Sequence, residues 1–202
     1  MAHILIVPGL YGSELQHWQS WLAHKLPNTI RVEQEDWDNP ILSVWANRIS
    51  HYIDQLSGQV WIIAHSFGCL ASVYAAHKRP ERIAGAMFVA MADPASFNSK
   101  GFIRGEPYIT AIDGLSAYLP KQDLGFPSVV VASNNDPWMK AEKAALWADY
   151  WESRFINIGN AGHINVASGF GAWAQGLQIF EQLRQTENDL LHGSLEEISK
   201  IQ

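Results

Sequence analysis

The sequence predicts an α/β fold with about six mostly parallel strands and helices on both faces of the sheet. Six short apolar runs, each bounded by Gly, Pro, Asn or Ser, read as strands buried on both faces. Longer segments with helical spacing lie between them, and strand alternating with helix implies a parallel sheet. A hydrophobic fraction of 48% against 17% charged residues supplies the core that such a sheet needs.

The first run, Ile4–Val7, stops at Pro8-Gly9. Leu15–Leu26 then sets Leu15, Trp18, Leu22 and Leu26 on one helical face. The second run, Thr29–Glu33, alternates weakly, and Ile41–Leu56 lines up Ile41, Val44, Trp45, Ile49, Ile53 and Leu56 as a helix. The third run, Val60–Ala64, leads into a helix over Cys69–Lys78. Gly85–Ala90 is the fourth strand. Ala92–Phe126 is rich in Gly and Pro and reads as an irregular insertion, without a strong period before about Tyr108–Tyr118. Ser128–Ser133, with three consecutive valines, is the fifth strand and Arg154–Ile158 the sixth. Trp138–Trp151 and Gly171–Arg184 have helical composition. Asn188–Gln202 is polar and reads as a terminal helix or a frayed tail. A length of 202 residues corresponds to a single domain, 1–202.

Composition removes several function classes. A net charge of −6 lacks the basic footprint of a nucleic-acid binder. One cysteine excludes an internal disulfide framework and any multi-thiolate metal site. His51 and His77 follow no ligand spacing, so a metal site has no support in the sequence, and no cofactor is expected. The N-terminus has no basic region followed by a long apolar stretch, and no window approaches about 18 apolar residues. A cytoplasmic protein without membrane insertion is therefore expected.

The chemistry concentrates at strand ends, where ligands bind in open α/β sheets. After the third strand comes His65-Ser66-Phe67-Gly68. A serine in a tight strand-to-helix turn, with Gly two positions later, resembles a nucleophile elbow. The helix N-terminus beneath it favours negative charge. A plain N-cap serine would also fit that turn. After the fifth strand, Asn135-Asp136-Pro137 offers a carboxylate that can orient an imidazole or simply form an Asx turn opening the next helix. After the sixth, Gly162-His163 offers a histidine that can swing over the sheet end or merely occupy a loop. Together, Ser66, Asp136 and His163 follow the order nucleophile, acid, base. After the first strand, the turn Gly9-Leu10-Tyr11-Gly12 can aim the Leu10 N–H alongside that of Phe67, a pair of donors for an oxyanion. A phosphate loop is the alternative, but Gly-x-x-Gly lacks both the P-loop lysine and the dinucleotide fingerprint.

These features resemble the α/β-hydrolase fold and, more narrowly, the small serine hydrolases related to retinoblastoma-binding protein nine. The similarity runs through Pro8-Gly9, Gly12-Ser13, His17-Trp18-x-x-Trp21-Leu22, Trp37, His65-Ser66-x-Gly68, Ser133-x-Asn135-Asp136-Pro137 and Gly162-His163-x-Asn165, nearly the whole chain. Ala64 departs from the family's common glycine two positions before the serine. The motif Leu-x-Cys-x-Glu, associated with contact to the retinoblastoma protein, does not occur, so no protein partner is carried over. The resemblance implies a reduced three-layer hydrolase without a large cap. It also implies a triad of Ser66, Asp136 and His163.

The expected reaction is acyl transfer from a small-molecule ester, thioester or amide to water. Asp93, after the fourth strand, is a second candidate for the acid, although its Asp-Pro context resembles a turn. Tyr11 and Trp138 are candidate substrate contacts, and Phe97, Phe102, Ile103 and Tyr108 candidate acyl-pocket walls. His65 is expected to pack or hydrogen-bond near the elbow, and His17 to sit on a helix face or border the site. Cys69 reads as a packing residue, and Asp36, Asp38, Glu196 and Glu197 as solvated. A catalytically weak binding module, and an acyltransferase or carbon–carbon bond hydrolase, remain as alternatives. Nine tryptophans add an aromatic-rich shell, with Trp45, Trp61 and Trp147 expected in the core.

Overall fold

The structure, a computed structural model, describes residues 2–102 and 114–185. Its strands are β1 (His3–Val7), β2 (Thr29–Arg31), β3 (Val60–His65), β4 (Ile83–Val89), β5 (Phe97–Asn98), β6 (Gly101–Phe102), β7 (Ser128–Ala132) and β8 (Arg154–Asn157). Its helices are α1 (Trp18–Lys25), α2 (Leu42–Gln55), α3 (Phe67–Ala76), α4 (Ala141–Tyr150) and α5 over residues 174–185. Six strands form one sheet in the order β2-β1-β3-β4-β7-β8, with every pair parallel. β5 and β6 form a short antiparallel hairpin in the insertion after β4, between 3₁₀ turns at Pro94–Ser96 and Leu115–Ala117.

The period of two along the strands divides the core. Leu5 and Val7 join Ile62, Phe88, Val130 and residues of α2, α3 and α4, including Trp45, Phe67 and Trp147. Ile4 and Ile6 join Trp61, Ile63, Met87 and residues of α1 and α5, including Trp18, Leu22 and Phe180. β1, β3, β4 and β7 thus feed both layers, so they carry continuous apolar sequence and not alternation. The central strands β3 and β4 are buried throughout, whereas β8 closes the sheet with four residues, none of them fully buried. Trp45, Trp61 and Trp147 lie in the core as expected.

Helix starts depart from the sequence reading. α1 begins at Trp18, and Leu15 is 87% exposed ahead of it. His17 ends the pattern early by capping the helix, its Nδ1 accepting the Gln19 N–H. Val44 is about half exposed and not on the buried face of α2. α3 starts two residues early, at Phe67, directly after Ser66. α4 starts at Ala141, because Asp136 draws the Trp138 N–H into an Asx turn. Ile103, Tyr108, the tail from Asn188 and the Glu196-Glu197 pair lie outside the described residues, as does the Phe102 side chain.

Candidate active site

Ser66 follows β3 in a conformation of φ 54° and ψ −126°, a strained position for a residue with a Cβ. The surroundings enforce it. The Ser66 N–H donates to the Val89 carbonyl at the end of β4, and α3 starts at the next residue. A Cβ at Gly68 would overlap the Pro8 carbonyl and lie 2.7 Å from that of Val7. A Cβ at Gly9 would lie 2.6 Å from the Ser66 Cβ. The two glycines therefore let the end of β1 approach the elbow directly. Ala64 stands fully buried in register with Val7 and Phe88, so its methyl group is accommodated by the core.

The structure brings Ser66, Asp136 and His163 together. His163 Nδ1 lies 2.9 Å from each Asp136 carboxylate oxygen, and Nε2 lies 2.9 Å from Ser66 Oγ. A carboxylate only accepts, so Nδ1 carries the ring proton and Nε2 accepts from the Ser66 hydroxyl. The Asp136 and His163 side chains are 2% and 10% exposed. Asp93 is engaged elsewhere. Its carboxylate oxygens lie 2.6 Å from Lys143 Nζ, and Oδ1 accepts the Ala95 N–H.

Bonds between loops far apart in sequence hold these side chains. Asn135 Oδ1 accepts from the Gly162 N–H and the Ser133 hydroxyl, while Ser133 Oγ accepts the Ala161 N–H. The loop after β7 is thus stitched to the loop bearing the histidine. Ser168 Oγ accepts the His163 N–H and donates to Asn165 Oδ1. Trp18 Nε1 on α1 donates to the Ile164 carbonyl at 2.7 Å, and His65 Nε2 at the end of β3 donates to that of His163 at 3.0 Å. The motif residues Trp18, Ser133, Asn135 and Asn165 are fasteners in this arrangement. Gln19, which drew no attention as sequence, is fully buried and ties β1 to β3 by donating to the Val7 and Ile63 carbonyls. A glutamine following the apolar Trp18 was its only visible signal.

A cleft of about 290 Å³ opens over Ser66 and His163. Leu10, Tyr11, Phe97 and Trp138 line it, with Glu14, His17 and Asn165. Sequence reasoning missed Glu14. The Gly12 N–H bonds back to the Gly9 carbonyl and the Tyr11 N–H to that of Trp37. Among the described residues, the N–H groups of Leu10 and Phe67 have no hydrogen-bond partner.

Two further histidines sit beside the site. Burial, with His163 and Arg31 nearby, lowers the His17 pKa from 6.5 to about 4. Burial also holds His65 well below the usual histidine range, aided by His163 and His17. Both fold as neutral rings, so the unfolded chain takes up protons first as pH falls. Their contribution to stability is complete above pH about 6.5 and is lost on acidification. His17 alone should contribute on the order of 3 kcal/mol to the loss between pH 7 and pH 4. Melting curves across that range check it, and a flat profile contradicts neutral burial. Burial pushes the Cys69 thiol up, as suits a packing residue. Asp36 is exposed and accepts the Asp38 and Asn39 N–H groups. Among the described residues, no group of three or more His, Cys, Asp or Glu is placed to hold a metal ion, and no helix is long and apolar enough to cross a membrane.

The fold and its family follow from comparison with known proteins. A YdeN-like hydrolase from Pectobacterium atrosepticum superposes with a TM-score of 0.79 at 32% identity, over 93% of this chain and 92% of that one. The ydeN gene product of Bacillus subtilis gives a TM-score of 0.69 at 18% identity, over 91% and 98%. Est1E of Butyrivibrio proteoclasticus, solved with ferulic acid, gives 0.67 at 12% identity, over 95% and 90%, a likeness of fold alone. No curated protein matches. These likenesses make the sheet and its helices a compact α/β-hydrolase fold. The family model described as serine hydrolase matches residues 4–182, and the chain belongs to that family.

Proposed function

We propose that the protein hydrolyses a small ester, thioester or amide through an acyl-enzyme on Ser66. The observation that carries this reading is the continuous hydrogen-bond chain from the Asp136 carboxylate through His163 to the Ser66 hydroxyl. His163 Nε2 takes the hydroxyl proton as Oγ attacks the substrate carbonyl, and Asp136 stabilises the imidazolium that forms. The carbonyl oxygen gains negative charge. The free N–H groups of Leu10 and Phe67 supply donors for it, each worth about 10²–10³ in rate in sites of this kind. His163 then returns the proton to the leaving group, and a water activated by the same ring releases the acid. Every step draws on side chains, backbone and water. Tyr11 and Trp138 form walls for the substrate, and a cleft of about 290 Å³ suits a small acyl group.

Labelling with a fluorophosphonate probe tests the reading. Peptide mapping is expected to find one adduct, on Ser66. An unlabelled but folded protein would turn the interpretation toward a binding module.

A further inference from the structure

The mechanism leaves the His17 side chain in the cleft unused. His17 caps α1 by accepting the Gln19 N–H on Nδ1 at 3.2 Å. A ring nitrogen that accepts carries no proton, so the neutral ring holds its proton on Nε2. Burial, with His163 and Arg31 nearby, keeps the ring neutral. Turning it over would set a carbon against the Gln19 N–H and lose the cap.

His17 lines the cleft over Ser66 and His163, yet its Nε2–H has no hydrogen-bond partner among the described residues. The adjacent ring, His65 at 4.8 Å between centroids, already donates its own Nε2–H to the His163 carbonyl. Little of the His17 side chain is exposed, yet Nε2 is not one of the fully enclosed polar atoms, so its N–H is open to the cleft and to an oxygen brought by a ligand. The cleft is also two-sided. Phe97 packs at a tilt against Phe67 over the α2–α3 layer, whereas His17 packs at a tilt against Trp18 over the α1–α5 layer. One wall is apolar and the other offers a hydrogen bond.

Building on Ser66 as the nucleophile, we propose that His17 Nε2–H is a substrate-binding donor. It selects esters or amides that carry a second accepting oxygen near the reacting carbonyl, in preference to simple alkyl esters. The acceptor is an ether, hydroxyl or second carbonyl oxygen on either side of the scissile bond.

Two isosteric pairs test this, each exchanging one CH₂ for oxygen. p-Nitrophenyl methoxyacetate against p-nitrophenyl butyrate probes the acyl side. 2-Methoxyethyl butyrate against n-butyl butyrate probes the leaving group. The readout is the kcat/KM ratio within each pair, compared between the native enzyme and His17→Asn, which keeps an N-cap acceptor but withdraws the ring. Comparing ratios cancels the intrinsic reactivity of the esters. The preference for the oxygen-bearing member should fall about two- to tenfold in one pair, the worth of one neutral hydrogen bond. Unchanged ratios in both pairs overturn the proposal while leaving Ser66 as nucleophile intact.

A second measurement needs neither turnover nor a variant. ¹⁵N spectra of the histidines in the native protein at pH 7 should show His17 as the neutral Nε2–H tautomer. An Nδ1–H tautomer or an imidazolium overturns the proposal. Absence of hydrolysis of all four esters would instead count against the acyl-enzyme reading.

Discussion

Replacing Ser66 by alanine is expected to lower ester hydrolysis by about 10⁶-fold, the loss that follows removal of the nucleophile from a triad of this kind. The fold should survive, because the side chain makes a single hydrogen bond, to His163 Nε2. Ser66→Gly should lose as much activity yet melt higher than Ser66→Ala. Glycine adopts φ 54°, ψ −126° without the penalty of about 1–3 kcal/mol that a Cβ incurs there. Steady-state kinetics and thermal unfolding of the two variants separate chemistry from strain. A Ser66→Ala enzyme keeping a hundredth of native kcat/KM would remove Ser66 from the reaction. Equal melting temperatures would mean that the elbow stores no strain.

Asp136→Asn should reduce kcat by about 10⁴-fold with little change in structure. The amide can offer its NH₂ to Nδ1, which moves the ring proton to Nε2 and leaves His163 unable to accept from Ser66. Asp93→Asn is the control. It weakens an ion pair with Lys143 whose side chains are 22% and 36% exposed, so its effect on stability should be small and on kcat negligible. If Asp93→Asn were the slower enzyme, the acid would have to be reassigned.

The strands and the site were legible to different degrees, for physical reasons. A strand buried on both faces advertises itself locally, as Val129-Val130-Val131 does. The ends of β1, β3 and β7, together with the spacing of Ser66, Asp136 and His163, were readable because parallel topology brings such ends to one rim. Helix starts were less legible, since single capping bonds from His17 and Asp136 set them and not the apolar period. Asp136-Pro137 gave the local signal of an Asx turn, but the sequence did not show that this turn would hold Trp138 outside the helix. The choice between an Asx turn and an imidazole-orienting carboxylate also dissolved. Asp136 does both, one oxygen accepting the Trp138 N–H while both face Nδ1. The fasteners Asn135 and Ser133 were invisible in role, since their partners lie 27 and 28 residues away.

The position of β8 bears on how the enzyme wears out. The histidine loop hangs from a four-residue strand paired on one side only, while the nucleophile grows from a fully buried strand in the middle of the sheet. Sheet rims open more readily than sheet centres. Fraying of β8 would leave the histidine loop held only by its bonds to Ser133, Asn135, Trp18 and His65, and loss of those bonds would carry His163 away from Ser66 with both hydrophobic layers largely intact. Warming should therefore silence the enzyme before it denatures, and cooling should restart it, with heat loss of activity behaving as a reversible disconnection at the margin of the molecule.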